Sequence, residues 1–285
     1  MLFGIPPSEK PHLYILGIPW DNSSSYRRGC ARGPRAIREA TSEKLYNGFN
    51  ESLVNLTEYW GYKDLGDVKA ESFGELVEKV YELIKSHYTG ELFIFLGGDH
   101  SITYATFRAL KKVSQEEFGL IYFDAHPDLY PEYEGDKYSH ACTVRRLVEE
   151  GFVKGRNVVQ IGIRAPTKEQ IEFAEEHGIK IILASEIYHC QKVDVPFERA
   201  YFSFDMDVLD PAFAPGVGNP EPGGLTTREL VEVIKSLKTE VVAFDVVELN
   251  PSYDYKGITA FAAAKIIREI LGKTAKNELT LHVGG

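Results

Sequence analysis

The sequence predicts one α/β domain of three layers, α/β/α, with a mainly parallel central sheet. Two observations carry that prediction. Short apolar runs alternate with stretches of helical spacing, and those runs are apolar throughout rather than at every second residue. A third observation, acids and histidines placed directly after four of the runs, says what the sheet is for.

The candidate strands are HLYILGI (12–18), ELFIFLG (91–97), GLIYFD (119–124), NVVQIGI (157–163), IKIIL (179–183), RAYFSFD (199–205) and EVVAFDV (240–246). They are rich in β-branched and aromatic residues, which favour strands. A sheet with one wet face would alternate apolar and polar residues, so continuous apolar runs imply helices on both faces. Between the runs, Pro34 sits at a helix start, where its missing N–H costs nothing, and predicts a helix over 34–46. Leu76, Val77, Val80, Leu83 and Ile84 recur at helical spacing within 73–87. Thr226 and Glu229 form a capping-box pair that opens a further helix. Strands closely followed by helices imply βαβ units. No repeat, low-complexity block or Ser/Gly linker divides residues 1–285, which therefore read as a single domain.

Composition narrows the function. A net charge of −10 and a pI near 5.4 disfavour nucleic acid or an anionic membrane surface as partner and suit a cationic one. The apolar runs are too short to span a bilayer. The start, MLFGIPPSEKPH, lacks the basic head and apolar core of a signal peptide. Cys30, Cys142 and Cys190 are odd in number and form no CxxC, which argues against a disulfide framework and for the reducing cytoplasm.

In parallel sheets covered on both faces, ligands bind beyond the carboxyl ends of the strands. Here LFIFLG runs into Asp99 and His100, and LIYF into Asp124, His126 and Asp128. AYFSF runs into Asp205 and Asp207, and VVAF into Asp245 and then Glu248. A single such acid could cap a helix, the simplest reading of Asp99 and Asp210. Four strand ends demand a common cause. Residues two apart on extended backbone share a face, so Asp124, His126 and Asp128 are expected to point together, as are Asp205 and Asp207. Carboxylates so close would lose ionisation without positive charge between them. The motifs contain no clump of Lys or Arg, and two divalent cations with bridging carboxylates meet the need. An oxygen-rich donor set with two histidines suits a hard metal such as manganese better than a thiolate site would.

GGDHS (97–101), DAHPD (124–128) and SFDMDVLDP (203–211) resemble the three signature segments of the arginase/agmatinase (ureohydrolase) family. The resemblance extends from GIPWDNSSSYRRGCARGPRAIRE (17–39) to ELNPSYD (248–254). It implies the arginase-like fold, two Mn2+ per chain, a homo-oligomer (trimer or hexamer), and hydrolysis of a guanidino group to urea and an amine. By motif, His100, Asp124, Asp128 and Asp205 would hold one metal. Asp124, His126, Asp205 and Asp207 would hold the other, with Asp124 and Asp205 bridging. Glu248 would bind the guanidinium, and His140, in DKYSHACTVRR, would shuttle a proton to the leaving amine. Asp99 and Asp245 would steady the ligands from behind, and Asp210 would be structural. The chemistry is coherent: guanidinium is a poor electrophile and water a weak nucleophile. Two metals about 3.5 Å apart bring the pKa of bound water towards roughly 7 and hold hydroxide for attack.

The substrate's far end must be read by loops. The family's arginases carry Asn, Ser and Thr where this chain has LYPEYEGDKYS (129–139), with Glu132, Glu134 and Asp136 against Lys137. If they face the site, those acids would repel a carboxylate and favour agmatine, or the longer N1-aminopropylagmatine; equally, they could face solvent. YSHACTVRR and APGVGNPEPGGLTTREL look more like agmatinases, although Ala141-Cys142 stands where agmatinases often have Gly-Thr. Arginine, guanidinobutyrate or formiminoglutamate would want a cation at the rim, which Arg27 or Arg28 could supply. PGVGNPEPGG lacks the spacing of a phosphate cradle and is expected to turn a loop at the site mouth. WDNSSSYRRGCARG (20–33) fits either the substrate mouth or a subunit contact. A non-catalytic relative would have lost ligands, and none of the six is missing. Deacetylases related in fold use one zinc and a different ligand set.

Overall fold

The computed structural model describes residues 1–42, 47–187 and 193–282. Its strands are β1 Leu13–Ile18, β2 Tyr62–Asp67, β3 Leu92–Gly97, β4 Gly119–Phe123, β5 Val158–Ile163, β6 Lys180–Leu183, β7 Arg199–Asp205 and β8 Glu240–Val247. The α-helices are α1 Gly33–Ala40, α2 Phe73–His87, α3 Ile102–Ser114, α4 Thr143–Glu149, α5 Lys168–His177, α6 Ala184–Ile187, α7 Thr227–Ser236 and α8 Ile258–His282. The strands form one sheet in the order β2-β1-β3-β8-β7-β4-β5-β6, and every pairing is parallel.

The continuous apolar runs have the expected cause. Along β4, Ile121 and Phe123 enter one core, with Phe202, Val246 and Ile267, whereas Leu120 and Tyr122 enter the other, with Phe93, Phe107 and Leu147. Both faces are covered, so both sets of alternating side chains are apolar. The helix over 73–87 and the capping box at Thr226 are present as read. Thr226 N donates to Glu229 Oε2 at 2.8 Å and Glu229 N to Thr226 Oγ1 at 3.1 Å.

Two local expectations need correction. Strand β2 (YKDLGD) is missing from the apolar runs because it is the polar edge strand of the sheet, with β1 on one side and on the other a single bridge from Tyr62 to Pro7. Its Asp64 and Asp67 hold Arg38 of α1 at 2.8 and 2.7 Å. Charged edges also discourage pairing with another chain. Helix α1 ends at Ala40 rather than at 46. Thr41 turns its N–H and its hydroxyl back onto the Ile37 carbonyl at 3.0 and 2.9 Å, and Ser42 pairs with Leu2. Residues 43–46 lie outside the described set.

The sheet order gives the strand-end motifs their meaning. The four strands that end in acids or histidines, β3, β8, β7 and β4, are neighbours at the centre of the sheet. The chain runs outwards from β1 to β2 on one side and from β4 through β5 to β6 on the other, and it returns to the centre as β3 and as β7 and β8. Such a reversal opens a crevice at the carboxyl edge.

Candidate metal centre

The paired spacing of the motifs comes from turns, not from strand alternation. β4 ends at Phe123, and Asp128 adopts a left-handed φ of 51°, so extended geometry does not persist across DAHPD. Instead, each leading aspartate accepts the backbone N–H two residues on, the bond that defines an Asx turn. Asp99 Oδ1 accepts from Ser101 N (3.1 Å), Asp124 Oδ1 from His126 N (2.6 Å) and Asp205 Oδ1 from Asp207 N (2.8 Å). The side chains converge as expected, for a different reason.

His100 Nδ1 lies 2.9 Å from Asp124 Oδ2, 3.1 Å from Asp205 Oδ2 and 3.5 Å from Asp128 Oδ2. His126 Nδ1 lies 3.0 Å from Asp207 Oδ2 and 3.4 Å from Asp124 Oδ1. His100, Asp124 and Asp128 thus form one group with metal-ligating potential; Asp124, His126 and Asp207 form a second. Asp124 belongs to both. Asp205 joins the first through His100, while its other oxygen is taken by Asp207 N.

These groups are costly as they stand. Burial, then the charge of Asp124, pushes the Asp128 carboxyl up to about 7. Burial and the neighbouring carboxylates raise Asp205 and Asp207 as well. Asp124 goes the other way: burial raises it, but hydrogen bonds and charge from His100 and His126 outweigh that and hold it low. Burial works against a charged His126, yet Asp207 and Asp124 carry it up to about 12. Asp124 Oδ2 is buried and, despite its proximity to His100, receives no well-directed hydrogen bond. Converging oxygens, mutual repulsion and an orphaned carboxylate oxygen fit a pair of divalent cations.

The supporting residues orient this set. Ser203 donates to Asp245 Oδ1 at 2.7 Å, so its oxygen is left to accept from His100 Nε2 at 2.8 Å. That places a proton on Nε2 and leaves Nδ1 as the nitrogen that faces the carboxylates, the one that would be given to a cation once its own proton is lost. Asp245, which also accepts from Thr103 (2.7 Å) and Tyr201 (2.6 Å), therefore acts on His100 through Ser203. Asp99 instead accepts from Ser23 N at 2.9 Å and from Ser101, so it holds loop 20–33 rather than a ligand side chain. Asp210 accepts from Ala212, Gly223 and Gly224 N–H groups, a structural role as read.

Two contributors escaped the sequence reading. Tyr122 stacks on His100 with ring centroids 4.3 Å apart, and its hydroxyl donates to Asp128 Oδ2 at 2.6 Å. Arg164 gives its guanidinium to the carbonyls of Asp207 and Glu221, tying the Asp207 turn to the 221–225 loop. Tyr122 reads simply as core, and Arg164 follows a strand with no acidic motif beside it.

Asp124, His126, Asp128, Asp205 and Asp207 floor a cavity of roughly 160 Å³, with Glu248, His140, Ser25, Asn219, Tyr130 and Tyr133 among its walls. Glu248 has a left-handed φ of 60°, uncommon for a residue with a side chain, and strain of this kind clusters at functional sites. Its Oε1 accepts from His100 N at 2.9 Å and lies 2.8 Å from His140 Nδ1. Oε2 points towards Gly218, where a Cβ would come within 3.3 Å of it. A side chain there would crowd the oxygen that remains to meet a ligand. Burial disfavours a charged His140, but the Glu248 carboxylate beside it outweighs that and brings its pKa up to about 9.

The rim acids do not reach this cavity. Tyr133 and Asp136 exchange two backbone hydrogen bonds of 3.0 Å, with left-handed Glu134 and Gly135 between them. That tight turn sends Tyr133 to the cavity and leaves Glu132, Glu134 and Asp136 exposed and outside the lining. Arg27 lies over the rings of Tyr26 and Tyr253, at 5.1 and 4.6 Å, rather than on the cavity. Among the described residues, no lysine or arginine lines it.

Comparison with known proteins adds the lineage. A family model described as the arginase family matches residues 11–272. The chain belongs to the arginase family. It is 35% identical to the mitochondrial arginase of Medicago truncatula, over 92% of this chain and 82% of the relative. It is 36% identical to a guanidinobutyrase of Pseudomonas aeruginosa, over 90% and 85%. The crystal structure of agmatine ureohydrolase from Thermoplasma volcanium superposes with a TM-score of 0.83 at 34% identity, covering 94% of this chain and 92% of that one. Arginase-family membership thus comes with relatives named for three different guanidines, so the family alone does not choose the substrate. No helix among the described residues is long and apolar enough to cross a membrane.

Proposed function

We propose that this chain is a binuclear manganese hydrolase that cleaves the guanidino group of agmatine, giving putrescine and urea. The observation that carries the reading is Asp124, shared between two His/Asp groups at the floor of a cavity whose wall presents Glu248. His100, Asp124, Asp128 and Asp205 would hold one cation, and Asp124, His126, Asp205 and Asp207 the other. When bound, the pair supplies an activated water near neutral pH.

The chain's own residues do the rest. Glu248 Oε2 accepts charge-assisted hydrogen bonds from the guanidinium and sets its central carbon above the floor. Asp245 orients His100 through Ser203, and Asp99 holds loop 20–33 against the cavity. His140 is high because Glu248 pulls on it. A guanidinium on Glu248 cancels that pull, so the His140 pKa descends towards the ordinary histidine range just as a proton is required. A water oxygen bonds to the guanidinium carbon, and His140 gives its proton to the departing nitrogen as the C–N bond breaks. The amine leaves while the carbon, now carrying the water's oxygen, remains as urea; the proton given up by the water restores His140.

The choice of agmatine no longer draws on the rim acids, which face solvent. It draws on a lining that, among the described residues, holds no lysine or arginine to serve as counter-ion for the carboxylate of arginine or guanidinobutyrate. N1-aminopropylagmatine, whose far end is also cationic, is the next candidate. The reading includes a homo-oligomer, trimer or hexamer, in the cytoplasm; the two free buried cysteines, Cys30 and Cys142, are compatible with a reducing compartment. Cys190 lies outside the described residues. The test is a urea-release screen of manganese-loaded protein over agmatine, N1-aminopropylagmatine, arginine and guanidinobutyrate. Preference for agmatine is expected. Urea chiefly from arginine or guanidinobutyrate would sink the lining argument, and none from any of the four would sink the hydrolase reading.

A further inference from the structure

We propose that Ser25, seconded by Asn219, is a positioning residue for His140, and that loop 20–33 is pinned to the strand ends in order to present it. The proposal rests on the reading of His140 as the proton carrier. Ser25 N donates to His140 Nε2 at 3.1 Å, Ser25 Oγ lies 2.9 Å from the same nitrogen, and Asn219 Nδ2 donates to Ser25 Oγ at 3.2 Å. A backbone N–H can only donate, so Nε2 accepts. The ring proton is then on Nδ1, facing Glu248 Oε1 at 2.8 Å. Asn219 takes one lone pair of Oγ and leaves the Ser25 hydroxyl hydrogen free to face Nε2 as well.

The two Ser25 groups differ in what they tolerate. The amide suits neutral His140 only. The hydroxyl suits both forms: it donates to neutral Nε2 and, after rotation, accepts from Nε2–H of the cation while keeping Asn219. Loss of the hydroxyl therefore leaves only the group that opposes the imidazolium. The acids that favour the imidazolium are Glu248 after β8, Asp99 after β3 and Asp128 after β4. Ser25 stands against them from the loop side.

The loop is built to hold this position. Asp99 takes Ser23 N at 2.9 Å, and Asn250 Nδ2 takes the carbonyls of Arg27 and Arg28 at 3.0 and 3.1 Å. Asp21 closes the loop on itself through Gly29 N at 2.8 Å. Gly98 completes the seat, since a Cβ there would fall 1.8 Å from the Trp20 carbonyl oxygen. The anchors on either side of Ser25 thus sit at the ends of β3 and β8, the strands that deliver His100 and Glu248. Ser25 is keyed to the centre whose histidine it contacts.

The experiment measures kcat, KM and their pH dependence for urea release from agmatine, with metal content and thermal midpoint as controls. Variants are Ser25→Ala, Ser25→Thr, Asn219→Ala and Ser25→Ala/Asn219→Ala. For Ser25→Ala, kcat should fall about tenfold, a fraction of what general acid–base catalysis carries. KM, metal content and thermal midpoint should be near wild type, and the pH midpoint set by His140 should move down. Ser25→Thr should restore both readouts, and Asn219→Ala should move them the same way by less. The double variant should be no worse than Ser25→Ala. Wild-type kcat with an unmoved midpoint in Ser25→Ala overturns the proposal. If Ser25→Ala loses metal or unfolds, Asn219→Ala decides by the same two readouts. A second arm records the His140 ring nitrogens by NMR of the full-length, metal-stripped, 15N-histidine-labelled chain, with His140→Gln for assignment. At about pH 10.5, above the His140 pKa of about 9 and so in the neutral ring, Nε2 should resonate as an unprotonated acceptor in wild type and shift in Ser25→Ala; a protonated Nε2 in wild type at that pH overturns the proposal. This arm needs no substrate, so it still decides the matter if wild type hydrolyses none of the four guanidines.

Discussion

Tyr122→Phe deletes one hydroxyl and leaves its ring, so it isolates a single contact at the candidate metal centre. The lost bond is the 2.6 Å donation to Asp128 Oδ2, while the stack on His100 survives in phenylalanine. Burial pushes the Tyr122 hydroxyl well above its usual range, so it remains a donor at any working pH. A hydrogen bond to a charged group contributes about 1.5–3 kcal/mol, or roughly tenfold to a hundredfold in manganese affinity if Asp128 is a ligand. A pH effect accompanies it. Asp128 is already raised to about 7 by burial and by Asp124, and loss of a donor to its ionised form raises it further. A carboxylate ligand is lost as pH falls through its pKa, so the variant should release manganese at a higher pH than wild type. Calorimetric titration of manganese into metal-stripped protein, with elemental analysis across pH 5.5–8.5, reads both quantities. Equal affinity and equal midpoints would show that Tyr122 does not support a metal ligand and would take Asp128 out of the set.

Two further outcomes follow from the same geometry. Asp124→Asn should retain less metal after gel filtration than Asp128→Asn, because Asp124 faces both groups and Asp128 one; equal contents would remove the shared assignment. Glu248→Gln should keep its metal yet lose about a hundredfold in kcat/KM on agmatine, the scale of leaving one buried charge without its partner. Undiminished turnover would exclude Glu248 as the guanidinium anchor.

The centre was legible because its residues sit directly after strands, and the rule that ligands gather at carboxyl ends needs no three-dimensional information. Adjacency was not legible. GGDH, DAHPD, FDMD and the run to Glu248 are scattered over some 150 residues of chain, and only the sheet order makes β3, β8, β7 and β4 neighbours. Periodicity found the buried strands and missed β2, whose Asp64 and Asp67 are polar because an edge strand keeps water on its flank. The rim acids misled because charge was counted along the sequence. A tight turn at Glu134-Gly135 decides which side chain faces inwards, and it chose Tyr133. Ser25 lay in a loop without period or motif, and nothing but the fold could bring it 115 positions along the chain to His140.

The expectation that the two-residue spacings reflect strand alternation reached the right side chains by the wrong route, and the difference bears on how the site can be probed. In an extended strand both carboxylate oxygens of Asp124 would be free. In the Asx turn one oxygen is occupied by His126 N, and what remains for a cation is Oδ2 together with the outer lone pairs of Oδ1. The turn needs only an oxygen acceptor, which asparagine supplies, whereas the cation needs charge, which asparagine lacks. Asp→Asn at 124 therefore separates the architecture of the centre from its electrostatics, while Asp→Ala would remove both and report on neither. The same holds at 205, where the carboxylate serves Asp207 N with one oxygen and His100 with the other. Asp124, the residue after β4, and Asp205, the last residue of β7, each turn the chain at a strand end and charge the site, which is why these motifs stand where the strands stop.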